Sequence, residues 1–140
     1  MKLGIKDIQY YLPPKKWKNV LFSKKFKVTD RFIKNKIGFS KLSKMELNLK
    51  TSDLAIKSIK KMFKKFPNLK NKLDCLILIT QNPDSNIPHT SAIIHQKLGL
   101  QSNCIIFDVS LGCSGFVHGL SIIKSFMIMN KFKNGILVTS

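Results

Sequence analysis

The feature that most restricts how this chain can fold is the run Leu73-Asp-Cys-Leu-Ile-Leu-Ile-Thr80. It is continuously apolar over strand length and does not alternate, the pattern of a strand buried on both faces of a parallel sheet. Cys104–Val109 and Ile136–Ser140 repeat the pattern. Helical patterns separate the three runs, over 88–98 and from Phe116 to Met129. Strands alternating with helices predict an α/β fold, a mostly parallel sheet with helices on both faces. Ligands of such sheets gather at the carboxyl ends of the strands.

Upstream elements extend the pattern. Leu3 to Leu12 reads as a further strand, ended by Pro13-Pro14, and Trp17 to Lys27 is basic with no clean period. Trp17 reads as a partly buried anchor or as a ligand platform. Thr29 or Asp30 can cap a short helix that Gly38 ends. Thr51-Ser52-Asp53 opens an amphipathic helix with Ala55, Ile59, Met62, Phe63 and Phe66 at helical spacing, and Pro67-Asn68 stops it. Its lysines, at 57, 60, 61, 64 and 65, read as a solvated face or as a docking face for an acidic partner. Gly99 fits the left-handed position after the 88–98 helix, with Leu100 packing back. The 116–129 segment is apolar nearly all round, which predicts a helix buried in the middle of a large fold.

Chemistry concentrates in Asp108-Val-Ser-Leu-Gly-Cys-Ser-Gly-Phe116, where strand gives way to helix. A thiol at Cys113 would lie near unpaired backbone N–H groups and the positive end of the helix dipole, which favour thiolate. Gly112 and Gly115 would leave room for a substrate carbonyl to approach. The residues alone leave two readings open, an acyl-accepting nucleophile and a small residue packed at a helix start. Cys75 and Cys104 fall inside apolar runs and read as core.

This segment resembles the active-site motif of β-ketoacyl-acyl-carrier-protein synthase III and its thiolase-fold relatives, Asp, four residues, Cys, one residue, Gly-Phe. Here it is Asp108, Cys113 and Gly115-Phe116, with Gly112 where the family usually has Ala. Further matches follow the same order: Tyr11-Leu12-Pro13, the helix within 29–39, the Pro88-bounded loop, Gln96 and Leu98-Gly99-Leu100. The resemblance spans nearly all 140 residues but about the first half of the family, so the chain reads as a thiolase-like N-terminal half, residues 1–140, and as truncated.

What the resemblance implies is an acyltransferase. Cys113 would take an acyl group from acyl-CoA as a thioester, followed by decarboxylative condensation with a malonyl unit on acyl-carrier protein. The family supplies a His, an Asn and a second oxyanion donor from its other half. The chain therefore reads as a truncated reading frame, a partial sequence or half of a split enzyme whose C-terminal half is a separate chain, and a homodimer is expected. Family Trp and Arg positions that hold CoA match Phe32 and Lys36. Phe keeps a stacking face and Lys keeps charge without the bidentate fork. Core packing for Phe32 and plain surface for Lys36 are the competing readings. Ile87 matches the residue that reaches the partner's acyl pocket in family homodimers, or is an ordinary apolar loop contact. The resemblance implies no cofactor. The alternative is a non-catalytic assembly subunit that pairs with a complete homologue. The acyl donor and pathway stay open.

The formal charge is +18, and a single arginine, Arg31, stands among lysines. Arg-poor basicity reads as coding bias more than as a nucleic-acid surface, which favours bidentate Arg contacts. It also suits acidic carriers and CoA phosphates. Three unframed cysteines and no signal-like or membrane-spanning segment predict a cytoplasmic protein with free thiols. No Cys-x2-Cys or His-x3-His spacing points to a metal. His89, His95 and His118 read as packing or surface groups, and His118 lies about 140° around the helix from Cys113.

Overall fold

Residues 12–49 pair two short strands that the sequence pattern did not announce. The computed structural model describes residues 3–140, with the backbone alone for 20, 22 and 24. It has two compact units, residues 12–49 and a larger one of Lys50–Ser140 with the segment up to Tyr11. In the smaller unit, β1 (Lys16–Lys18) lies antiparallel to β2 (Lys41–Ser43), with Trp17 opposite Leu42. The Lys44 ammonium sits 4.4 Å from the centre of the Trp17 ring, which anchors the indole while leaving it part-exposed. Between the strands run α1 (Val20–Phe26) and α2 (Asp30–Phe32). Thr29 caps α2, its hydroxyl accepting from Phe32 N–H at 3.1 Å. The chain then widens into a π-turn over Ile33–Ile37 and leaves through Gly38 at φ 81°, the left-handed stop expected of it.

The larger unit carries the predicted parallel sheet. It contains α3 (Thr51–Lys65), β3 (Cys75–Ile79), α4 (Thr90–Leu98), β4 (Ile105–Val109), α5 (Gly115–Met129) and β5 (Gly135–Thr139). Strand order is β4-β3-β5 with both pairings parallel, Cys75 standing opposite Ile105 on one side and Gly135 on the other. Every residue of β3 is buried. Alternate β3 side chains divide the core. Leu76 and Leu78 join Ala55, Ile56, Ile59, Ile94 and Leu98 under α3 and α4. Cys75, Ile77 and Ile79 join Ile123 and Met127 under α5. This is the two-residue period of a strand feeding two helix layers. The predicted stop of α4 forms as well: Gly99 has φ 58°, and Leu100 N–H reaches His95 O at 3.2 Å.

Two expectations fail. Residues 3–12 form no strand; among the described residues their backbone enters no ladder. The segment instead runs along α3, where Lys57, Lys61 and Lys65 follow one another every four residues. Lys65 pairs with Asp7, Lys61 donates to Tyr10 O at 2.9 Å, and Lys57 donates to the Tyr11 hydroxyl at 3.1 Å with its charge over that ring. That stripe of α3 is therefore partnered, and the solvated face shrinks to lysines such as Lys60 and Lys64. Second, β4 and β5 are not fully buried: they are the two edges of the three-stranded sheet, Ile105 is exposed, and Val138 is the one buried residue of β5. The helix α5, expected to be buried in a larger fold, buries within this chain the stripe Gly115, Gly119, Ile123 and Met127, at four-residue spacing. Phe116, Val117, Ile128 and Met129 stand exposed on its other faces. Among the described residues no helix is long and apolar enough to cross a membrane.

Candidate active site

The carboxyl ends of β3 and β4 set the position of Cys113. After Val109 the chain turns, and Gly115 N–H donates to Gly112 O at 2.8 Å, closing a four-residue turn with Cys113 and Ser114 at its centre. Ser114 has φ −73° and ψ −12° and leads directly into α5. The thiol is exposed, whereas Cys75 and Cys104 are buried as predicted. Burial pushes the Cys75 thiol up to about 12 and the Cys104 thiol up to about 11. Among the described residues, no acceptor meets the N–H of Cys113 or Ser114. Both donors are free to meet an oxyanion at the helix entrance.

The glycines around the thiol serve packing more than substrate approach. A Cβ on Gly115 would stand 2.4 Å from Ile79 Cγ2 and 3.1 Å from Leu111 Cβ. A Cβ on Gly119 would meet Leu137 Cδ1 at 2.9 Å. These two positions let α5 sit down on the sheet. The space beside Gly112 is also taken, since a Cβ there would lie 2.7 Å from Gln81 Oε1. At 115 the room expected for a substrate carbonyl is filled by the core side chain of Ile79; at 112, an exposed residue, it is met only by the end of the exposed Gln81 side chain. Gln81 escaped the sequence reading; its only signal is a polar residue directly after the apolar β3 run.

Asp108 has a structural task. Its carboxylate accepts from Thr90 N–H at 2.8 Å and Ser91 N–H at 2.9 Å, closing the amino end of α4. Asp84 does the same for α3, accepting from Ser52 N–H at 3.0 Å. Thr51 donates to Asn82 O at 2.6 Å, and Asp84 N–H donates to Thr90 Oγ1 at 2.9 Å. The 81–88 loop, which ends in a cis Ile87–Pro88 bond, is thus tied to two helix starts.

The other predicted residues fall in both units. Ile87 follows β3, at the same sheet edge as Cys113, and is 89% exposed, so it makes no ordinary core contact. Phe32 and Lys36 lie in the smaller unit. Phe32 is 46% exposed, which removes its reading as core, and Lys36 is exposed. In that unit Asp30, Ile33, Lys34, Gly38, Phe39 and Ser40 line an open cavity of about 430 Å³. Of the histidines, His89 precedes α4, His95 Nε2 lies 3.0 Å from Gln101 O, and His118 is exposed on α5, its backbone N–H donating to Ser114 O at 3.1 Å.

A cysteine in the turn between a parallel strand and a glycine-seated helix, with both sheet faces covered, defines a thiolase-like α/β chain. A crystal structure of 3-oxoacyl-(acyl-carrier-protein) synthase III shares this backbone, with a TM-score of 0.90 and 28% identity over 97% of this chain and 41% of that one. The sequence points the same way. The family model of 3-oxoacyl-acyl-carrier-protein (ACP) synthase III matches residues 107–140, the stretch holding Cys113. The chain is 34% identical over 136 residues to beta-ketoacyl-acyl-carrier-protein synthase III of Caldanaerobacter subterraneus subsp. tengcongensis, covering 96% of this chain and 40% of that protein. It is 31% identical to the protein of the same name in Clostridioides difficile, covering 98% of this chain and 42% of that one. In sequence and backbone the chain resembles the synthase III family, and it spans about two-fifths of the length of these relatives.

Proposed function

We propose that this chain contributes the nucleophile half of an acyltransferase of the β-ketoacyl-acyl-carrier-protein synthase III type. The observation that carries the reading is the exposed Cys113, held in a turn at the carboxyl edge of the sheet inside the stretch matched by the family. The Cys113 thiolate attacks an acyl thioester; the carbon–sulfur bond to the donor breaks, and the donor thiol leaves as a protein thioester forms. The free N–H of Cys113 stabilises the oxyanion of that step. Condensation with a malonyl unit on acyl-carrier protein, with loss of CO2, follows in fatty-acid or related biosynthesis. The His and Asn that such a condensation uses in the family come from outside the stretch matched here.

Phe32 and Lys36 are proposed to meet the CoA moiety, the ring by stacking and the ammonium by charge, which their exposure permits. Ile87 is proposed to enter the acyl pocket of a second copy in a cytoplasmic homodimer. The exposed apolar face of α5 supports a partner for this half, either a second chain or a complete homologue that it assists.

Peptide mass mapping after incubation with a panel of acyl-CoA and acyl-carrier thioesters tests the reading, beside Cys113→Ala. The expected result is an acyl mass on Cys113 and none on Cys75 or Cys104. A folded chain that takes up no acyl group, alone or with a complete homologue, would overturn it.

A further inference from the structure

The Cys113 turn is met at two points, by Ile79 at the end of β3 and by Gln81 in the loop two residues beyond it. Ile79 fills the space beside Gly115, the last residue of the turn, and Gln81 fills the space beside Gly112, the first. The two grips differ in kind. Ile79 is 3% exposed and fixed in the core under α5, whereas Gln81 is exposed. Three atoms of the Gln81 carboxamide approach the vacant Cβ position of Gly112: Oε1 at 2.7 Å, Cδ at 3.2 Å and Nε2 at 3.4 Å. The side chain therefore lays its amide plane over the backbone that precedes the thiol. Among the described residues this amide has no hydrogen-bond partner, so its contact with Gly112 is one of packing.

We propose that Gln81 is a positioning residue for Cys113, and that Gly112 is glycine because the Gln81 carboxamide occupies the space of its missing side chain. The pair sets where the turn sits and hence where the thiol and the adjoining N–H groups point. The proposal rests on reading Cys113 as the nucleophile, but its test does not require acyl transfer. Ala at 112 would push the carboxamide, the far end of a flexible and exposed side chain, off the turn, which would lose that support; removing the Gln81 side chain as well would give the new methyl its space.

The experiment is a double-substitution cycle on the full chain, read by the rate at which iodoacetamide alkylates Cys113 at a fixed pH and well below the melting temperature. Peptide mapping separates Cys113 from the two buried thiols. Gly112→Ala is expected to change the rate at least threefold, and Gln81→Ala at least twofold. The double variant is expected to return to within twofold of the parent. Gln81→Met, which fills the same space without an amide, is expected to rescue the rate lost in Gln81→Ala. A merely structural role would move the melting temperature without this pattern of rescue. The proposal fails if Gly112→Ala alters the rate less than threefold, if the double variant multiplies the single effects, or if Gln81→Met behaves like Gln81→Ala. Failure here leaves acyl uptake at Cys113 intact, so the two readings fall separately.

Discussion

Gly115→Ala tests how tightly the nucleophile helix is seated. The added methyl would stand 2.4 Å from Ile79 Cγ2, against about 3.5–4.0 Å for carbon atoms at contact. The helix must withdraw by roughly 1 Å, or Ile79 must leave a core position where it is 3% exposed. Overpacking of this kind costs about 1–3 kcal/mol. The better helix propensity of Ala returns less than about 1 kcal/mol at the first helical residue. A net loss of about 1–2 kcal/mol lowers the melting temperature by roughly 5–10 °C in a unit of this size. Thermal unfolding followed by far-UV circular dichroism, with urea midpoints as a check, measures it. Ile79→Ala removes the obstructing methyl and alone costs about 2–4 kcal/mol. The double variant should then lose at least about 1 kcal/mol less than the sum of the two single losses. A Gly115→Ala protein as stable as the parent, or strict additivity with Ile79→Ala, would refute the claim that helix and sheet meet at this glycine.

Asp108→Ala removes both acceptors at the start of α4 and should cost about 1–2 kcal/mol in urea unfolding, whereas Asp108→Asn, which keeps one oxygen, should cost less. The backbone N–H of Lys50, followed by the Lys97 ammonium, holds the Asp53 carboxyl below its ordinary 3.8. Its stabilisation is present above that value and is lost as pH falls through and below it; Asp53→Asn should flatten the acid limb of the stability curve. Cys75 and Cys104 work in the opposite direction. Their folded values, about 12 and about 11, exceed the ordinary 9.0, so the stability they contribute is complete below 9 and drains away between 9 and 12. Serine at both positions should remove that alkaline loss in a pH titration of the melting temperature.

Much of the larger unit was legible because each signal was local. The unbroken apolar run of β3 named the central strand, the 3.6-residue period of 51–66 named α3, and Gly99 named the end of α4. The setting of Cys113 between an apolar strand and a glycine-flanked helix start was legible, but the residues alone left two readings of the thiol open, and the family resemblance carried the choice of nucleophile. Less legible were features that depend on distant partners. Residues 3–12 carry strand-like composition, yet what holds them is a ladder of lysines more than forty residues away, which no local pattern encodes. The β1–β2 pair joins two three-residue strands across 22 intervening residues, too short for periodicity to register. The apolar character of α5 reports what a helix can cover; within this chain the sheet takes the stripe bearing Gly115 and Gly119, and the remaining apolar faces stay open. The glycines near the thiol were read as space; at 115 the buried Ile79 fills it, and at 112 the end of the exposed Gln81 side chain reaches it.

The central claim is that Cys113 accepts an acyl group from a thioester. Its most direct measurement is the CoA released within the first turnover when the folded chain, alone and with a complete homologue, meets excess acyl-CoA. The account predicts a burst of about one equivalent per chain, matched by an acyl mass on Cys113 and absent from Cys113→Ala. An equal burst from Cys113→Ala, or none from the folded parent under either condition, would contradict it.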